Sequence, residues 1–190
     1  MPIIAGRASA AYGAGFGAVT TVPYAGPFGA YDALAGITVG ASAVSSVTFS
    51  GIPTEYKHLQ IRINYAPTAG GILKMNFNGD TGANYTGHIL AGEGTGSAYG
   101  GVPSVSPNAI CTTYTAGTTF GAVIVDVLDY NNLTKNKVTK SIGGSDRNGA
   151  GDVEFDSNVW LNTSAITSIV FSHQNGNIGA LSSFALYGVK

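Results

Sequence analysis

Charge is scarce in this 190-residue chain: only 10% of its side chains are Asp, Glu, Lys or Arg, against about 25% in an ordinary soluble protein. With a formal net charge of −1, no basic field exists to hold a nucleic-acid backbone or an anionic membrane surface, so neither is expected as a partner. Cysteine is almost missing as well. Cys111 stands alone, which excludes an intrachain disulfide framework and a structural thiolate zinc site and leaves a small core residue as its simplest role. No apolar run reaches the length of about 18 residues that a spanning helix needs. A cleavable leader is not expected either. Ala8, Ser9 and Ala10 have the small side chains of a cleavage site, but Arg7 directly precedes them and no sufficient apolar run comes before. Helical periodicity and internal repeats are absent too.

What is present divides at about residue 44. Residues 1–44 carry two charged side chains, Arg7 and Asp32, among many glycines and alanines. Glycine raises the entropy cost of ordering such a segment, while aromatic rings supply apolar area that must be covered. We read residues 1–44 as an extended N-terminal arm that orders against another subunit, with Tyr12, Phe16, Tyr24, Phe28 and Tyr31 as its contact residues. Fully extended at about 3.3 Å per residue, the arm would reach roughly 140 Å. A cut after residue 36 is expected to leave a complete domain.

From residue 45 to 190 the chain alternates short β-branched and aromatic stretches with Gly, Asn, Asp and Pro, the pattern of strands and turns. Strands are expected at Val44–Phe49, His58–Tyr65, Ile72–Asn78, Tyr85–Leu90, Thr119–Asp129, Lys135–Ile142, Val153–Leu161, Ile166–Ser172 and Leu181–Val189. In His58–Tyr65, Leu59, Ile61, Ile63 and Tyr65 alternate with polar residues, so one face is core and the other wet. In Thr119–Asp129, Val123, Val125 and Val127 share a face while Ile124 and Leu128 flank Asp126 on the other, which predicts a central strand covered on both sides. Strands of this number without crossover helices predict an all-β chain, an antiparallel β-sandwich with the jelly roll as the favoured winding. The glycine-rich stretch Gly92–Pro107 reads as a long surface loop and a candidate contact surface, with Tyr99 at its centre.

Catalytic and metal chemistry finds little support. His58, His88 and His173 match no ligand spacing, and Asn76, Asn78 and Asp80 lack the glycine and glutamate of an EF-hand loop. Asp146, Asp152, Glu154 and Asp156 gather around a glycine-rich turn; the plain reading is a solvated acidic loop balanced by Arg147, the sharper one a calcium site. No G-x-S-x-G elbow or distinguished acid–base pair is present. We therefore expect no enzyme and assign no catalytic, cofactor-binding or metal-binding residue. Trp160 with Tyr99, Tyr114 and Tyr130 could form a sugar platform, but Val159-Trp160-Leu161 reads better as core, which leaves Tyr99 to carry it.

Three stretches carry a resemblance: SVTFSGIPTEYKHLQIRI at Ser46–Ile63, NFNGDTGANYTGHIL at Asn76–Leu90, and FALYGVK at Phe184–Lys190. Together they resemble small β-rich virion proteins of tailed bacteriophages, especially those of cyanobacterial and marine phages. The resemblance covers most of residues 44–190, weakest in the middle, and its motifs are structural. It implies a jelly-roll particle component, made in the bacterial host cytoplasm and residing in the virion. Capsid decoration is the first expectation, with the arm on the major capsid protein or other virion proteins and a homotrimer at a three-fold position. The alternatives are a tail, baseplate or fibre component, or a receptor-binding module for a host glycan.

Overall fold

The computed structural model describes residues 29–94, 96, 98–101, 108–113, 119–146 and 150–190. The expected contact residues Tyr12, Phe16, Tyr24 and Phe28, and also Tyr114 and Arg147, lie outside the described residues. The described chain is all-β. Its strands are β1 (Tyr31–Thr38), β2 (Ser46–Ser50), β3 (His58–Tyr65), β4 (Ile72–Phe77), β5 (Tyr85–Glu93) and β6 (Tyr99–Gly101). They continue with β7 (Ala109–Thr113), β8 (Gly121–Leu128), β9 (Lys137–Asp146), β10 (Gly151–Trp160), β11 (Ser168–His173) and β12 (Ser183–Val189).

Two antiparallel sheets form a sandwich. The large one runs β1-β12-β3-β8-β9-β10-β5-β6 and the small one β2-β11-β4-β7. Phe171 of β11 faces Phe184 of β12 and Phe77 of β4 faces Trp160 of β10, and the chain passes back and forth between the two sheets. That order is compatible with a jelly roll. The hairpin β9–β10 and the pair β5–β6 complete the large sheet, and β7 packs on the inner side of β9 and β10.

The core lies between the sheets. Leu59, Ile61, Ile63 and Tyr65 of β3 are buried, as are Val123, Val125 and Val127 of β8, against Met75, Phe77, Ile169 and Phe171 from the small sheet. Each large apolar side chain so buried contributes about 1.5–3 kcal/mol. Phe171 meets Phe184 across the sandwich at 5.3 Å between ring centroids. Trp160 is core, as expected, packed on Phe77 at 5.5 Å and stacked on Tyr85. Its indole N–H donates to Asp80 Oδ2 at 2.7 Å, and Asp80 also accepts from the Gly82 amide and the Asn84 side chain. These donors hold the Asp80 carboxyl below its usual range. Asn78 and Gly79, both with positive φ, turn the chain into this loop, as the Asn-Gly pair predicts.

The outer motifs that carry the resemblance meet in space. β3 pairs with β12 from His58↔Val189 to Asn64↔Ser183. The ring of Tyr56 lies over Gly188, where a Cβ would collide with it. Burial, followed by a hydrogen bond to Asp32, pushes the Tyr56 phenol up to about 12.

Lys137 shows how the β8–β9 connection is held. The residue is fully buried, and its ammonium donates to the carbonyls of Asn132 at 2.6 Å, Lys135 at 2.8 Å and Thr163 at 2.9 Å. Burial lowers its pKa. Lys137→Met keeps the bulk but strands three carbonyls, and we expect a loss of about 2–4 kcal/mol in urea unfolding with m unchanged.

Two expectations need correction. Residues 31–38 are not arm: β1 pairs with β12 from Tyr31↔Val189 to Thr38↔Ser183 as the edge of the large sheet. Its alanine- and glycine-rich sequence hides a strand that cross-strand pairing, rather than intrinsic propensity, holds in place. A cut after residue 36 therefore removes most of β1. Nor is β8 covered on both faces. It is central in the sheet, but Ile124 and Leu128 are exposed, because no layer among the described residues lies over that side.

Candidate interaction surface

The outer face of the large sheet has two halves. Over β1, β12, β3 and β8 aromatic residues of β1 and β12 border a hydrogen-bonded polar chain on β3 and β8. Gln60 Nε2 donates to Asp126 Oδ1 and Arg62 Nε to Gln60 Oε1, each at 2.9 Å. The Arg62 guanidinium also lies 4.9 Å from the Tyr187 ring centroid and 5.4 Å from that of Tyr31. Tyr31, the one arm candidate among the described residues, is thus seated beside an arginine of its own sheet.

Over β8, β9, β10 and β5 the outer face carries an apolar row beside a polar one, Asp126, Lys140, Ser157 and His88, with the Lys140 ammonium 6.0 Å from the Phe155 ring centroid. The register aligns Ile124 with Ile142, Ile142 with Phe155, and Phe155 with Leu90. These four side chains form one row across four strands, and Val153 stands two residues from Phe155 on the same face. All five are exposed, Val153 by 66%, Leu90 by 58% and Ile142 by 53%. An exposed apolar row of this extent marks a contact surface. Beyond the row the surface dips into a groove of about 690 Å³. Ala122, Gly144, Val153 and Gly92 make its cross-strand floor.

Behind the apolar row, the same strands send polar side chains inward. In β10, Asp152, Glu154, Asp156 and Asn158 are all buried, while Val153 and Phe155 face out. From β9, Ser145 Oγ donates to Asp152 Oδ1 at 2.6 Å and Ser141 Oγ to Asp156 Oδ2 at 3.4 Å. Burial, then the charge of Glu154, pushes the Asp156 carboxyl up to about 9. This overturns the reading of a solvated acidic loop: of the four carboxylates, only Asp146 is exposed. The acidic side chains occupy the inner side of β10 because the strand's alternation puts either its carboxylates or its apolar residues inside, and here the carboxylates go in.

The other candidates are dispersed. Tyr99 lies on the edge strand β6, 43% exposed, with its phenol raised by burial and then by the nearby carboxylates. Tyr130 is buried with its hydroxyl on the Pro53 carbonyl, and Trp160 is core, so neither shares a sugar platform with Tyr99. His58, His88 and His173 sit on β3, β5 and β11. Among the described residues no group of three or more His, Cys, Asp or Glu is arranged to hold a metal ion. Cys111 is buried in β7, where burial raises its thiol well above the usual range. The apolar row was missed in the sequence although its signal is there: in Asp152-Val153-Glu154-Phe155-Asp156 the apolar and acidic sets alternate strictly.

No family model and no curated protein matches the chain. Among solved structures, a Shewanella oneidensis MR-1 protein of unknown function aligns over 91% of this chain and 75% of its own, at 12% identity and a TM-score of 0.23. A likeness that slight carries no argument about fold or function.

Proposed function

We propose that this protein is a non-catalytic structural component of a tailed-phage particle, a capsid decoration protein that attaches to neighbouring subunits. The observation that carries the reading is the apolar row Ile124, Ile142, Phe155 and Leu90, exposed on the outer face of a chain in which charge is scarce. Such a face is costly to leave in water and stabilising to cover, at about 25 cal/mol per Å² removed from solvent. Rigid sandwich, flat apolar face and charge-poor N-terminal segment suit a part whose work is binding. The Ser46–Ile63, Asn76–Leu90 and Phe184–Lys190 motifs resemble those of phage virion proteins and supply the biological setting. On this reading the partners are the major capsid protein or other virion proteins, with a homotrimer at a three-fold position.

The test is the copy number of the protein relative to the major shell protein in purified particles, by quantitative mass spectrometry. Stoichiometry comparable to the shell protein is the expected result. A handful of copies per particle would move the protein to the tail, baseplate or fibre, and absence from particles would overturn the reading.

A further inference from the structure

Resting on the reading of the chain as an assembly component, we propose that the groove at the end of the outer sheet face receives residues 1–28 of an adjoining copy, linking copies head to tail. The groove is made for a charge-poor, aromatic ligand. Ile124, Ile142 and Val153 supply its apolar side chains, while Gly92, Ala122 and Gly144 leave the backbone bare beneath them. A volume of about 690 Å³ admits more than one aromatic ring. The 28 residues preceding the described chain hold one charged side chain, Arg7, and four rings, Tyr12, Phe16, Tyr24 and Phe28. Asp146, at the groove's rim, is opposite in sign to Arg7.

The direction of the linkage follows from the register. The segment joins the sheet at the Tyr31 end of β1, beside the C-terminus: the Lys190 amide donates to the Ala30 carbonyl at 3.3 Å and the Lys190 ammonium meets Asp32 at 2.9 Å. The groove lies at the other end. Thr38 pairs with Ser183, Ser183 with Asn64, Asn64 with Ala122 and Ala122 with Gly144. Segment and groove are different surfaces at opposite ends of one sheet, so a segment passed from each copy to the next makes a heterologous contact, which closes into a ring when the rotation between copies permits. At about 3.3 Å per residue the segment spans up to roughly 90 Å, ample for a neighbouring domain.

Chymotrypsin reads the four rings directly. The full chain is digested at high concentration and after about a hundredfold dilution, beside a synthetic peptide of residues 1–30, with mass followed by sedimentation. We expect cleavage after Tyr12, Phe16, Tyr24 and Phe28 to be about tenfold slower than in the peptide while the chain is oligomeric, and to return to the peptide's rate on dilution. The double variant Ile142→Lys/Val153→Lys should be monomeric and cleaved at the peptide's rate throughout. If that pair fails to fold, Gly92→Leu fills the groove instead, since a Cβ there meets nothing within 4 Å. Peptide-rate cleavage in the concentrated wild type would overturn the proposal. So would protection that persists in a dilute monomer, which would place the segment on its own sheet, or protection unchanged in well-folded variants. Absence from particles removes the assembly reading without touching the digestion result, so the two failures are told apart.

Discussion

Ile61→Asp yields a chain with no cooperative unfolding transition. Ile61 is fully buried on the inner face of β3, directly opposite Leu186 of β12 and Val125 of β8. The substitution removes an apolar contribution of about 2–3 kcal/mol. It also buries a carboxyl among hydrocarbon, a further cost of several kcal/mol whether it ionises or takes a proton. The sum is comparable with the whole stability of a typical domain, about 5–15 kcal/mol. Circular dichroism across a thermal ramp checks it, with Ile61→Val as the control, expected to cost about 0.5–1.5 kcal/mol. A cooperative transition near the wild-type temperature in Ile61→Asp would mean that this residue does not face the core.

Asp156→Asn should stabilise the protein, and increasingly so as the pH rises. The Asp156 carboxyl is pushed from 3.8 to about 9 in the fold, by burial first and by the charge of Glu154 second. Between those two values the unfolded chain has given up the proton that the folded chain keeps. Stability therefore falls as pH climbs from about 4 towards 9, with a limiting slope of about 1.4 kcal/mol per pH unit for one proton. At lower pH both states hold the proton and the contribution vanishes. The amide that replaces the carboxyl in the variant never ionises, so variant and wild type should converge near pH 4 and part progressively above it. Burial lowers the pKa of His173, which acts in the opposite direction, costing stability as pH falls through 6.5; both proteins share that slope, and it cancels in the difference. Urea unfolding midpoints at matched pH values measure the effect. A difference that stays flat from pH 5 to pH 9 would show that the Asp156 carboxyl ionises in the folded chain much as it does in the unfolded one.

Much of the sandwich was legible in the order of residues. His58–Tyr65 declares its faces because Leu59, Ile61, Ile63 and Tyr65 recur at the strand period, and β3 has those bounds and that core side. Asn78-Gly79 announces a turn because few residues tolerate positive φ at two consecutive positions. β1 and the short β6 were not legible, being poor in strand-forming side chains or set among glycines, and they exist as strands through the neighbours they pair with; β7 carries strand formers in Ile110, Thr112 and Thr113 but is too short to show a period of its own. The candidate surface was hidden for a different reason. Alternation in residues 152–156 says that two sets of side chains face opposite ways, and a period of two is silent about which set goes in.

The order of residues was thus enough for an all-β chain, the course of its main strands, the core position of Trp160 and a charge-poor N-terminal segment, because these follow from local periodicity, turn chemistry and composition. Folding in three dimensions was needed to bring Tyr31–Thr38 into the sheet, to turn the carboxylates of β10 inward, and to align Ile124, Ile142, Phe155 and Leu90 into one exposed row. Each depends on which strands lie side by side and in what register, and residues far apart in the chain settle that only when the sheets form.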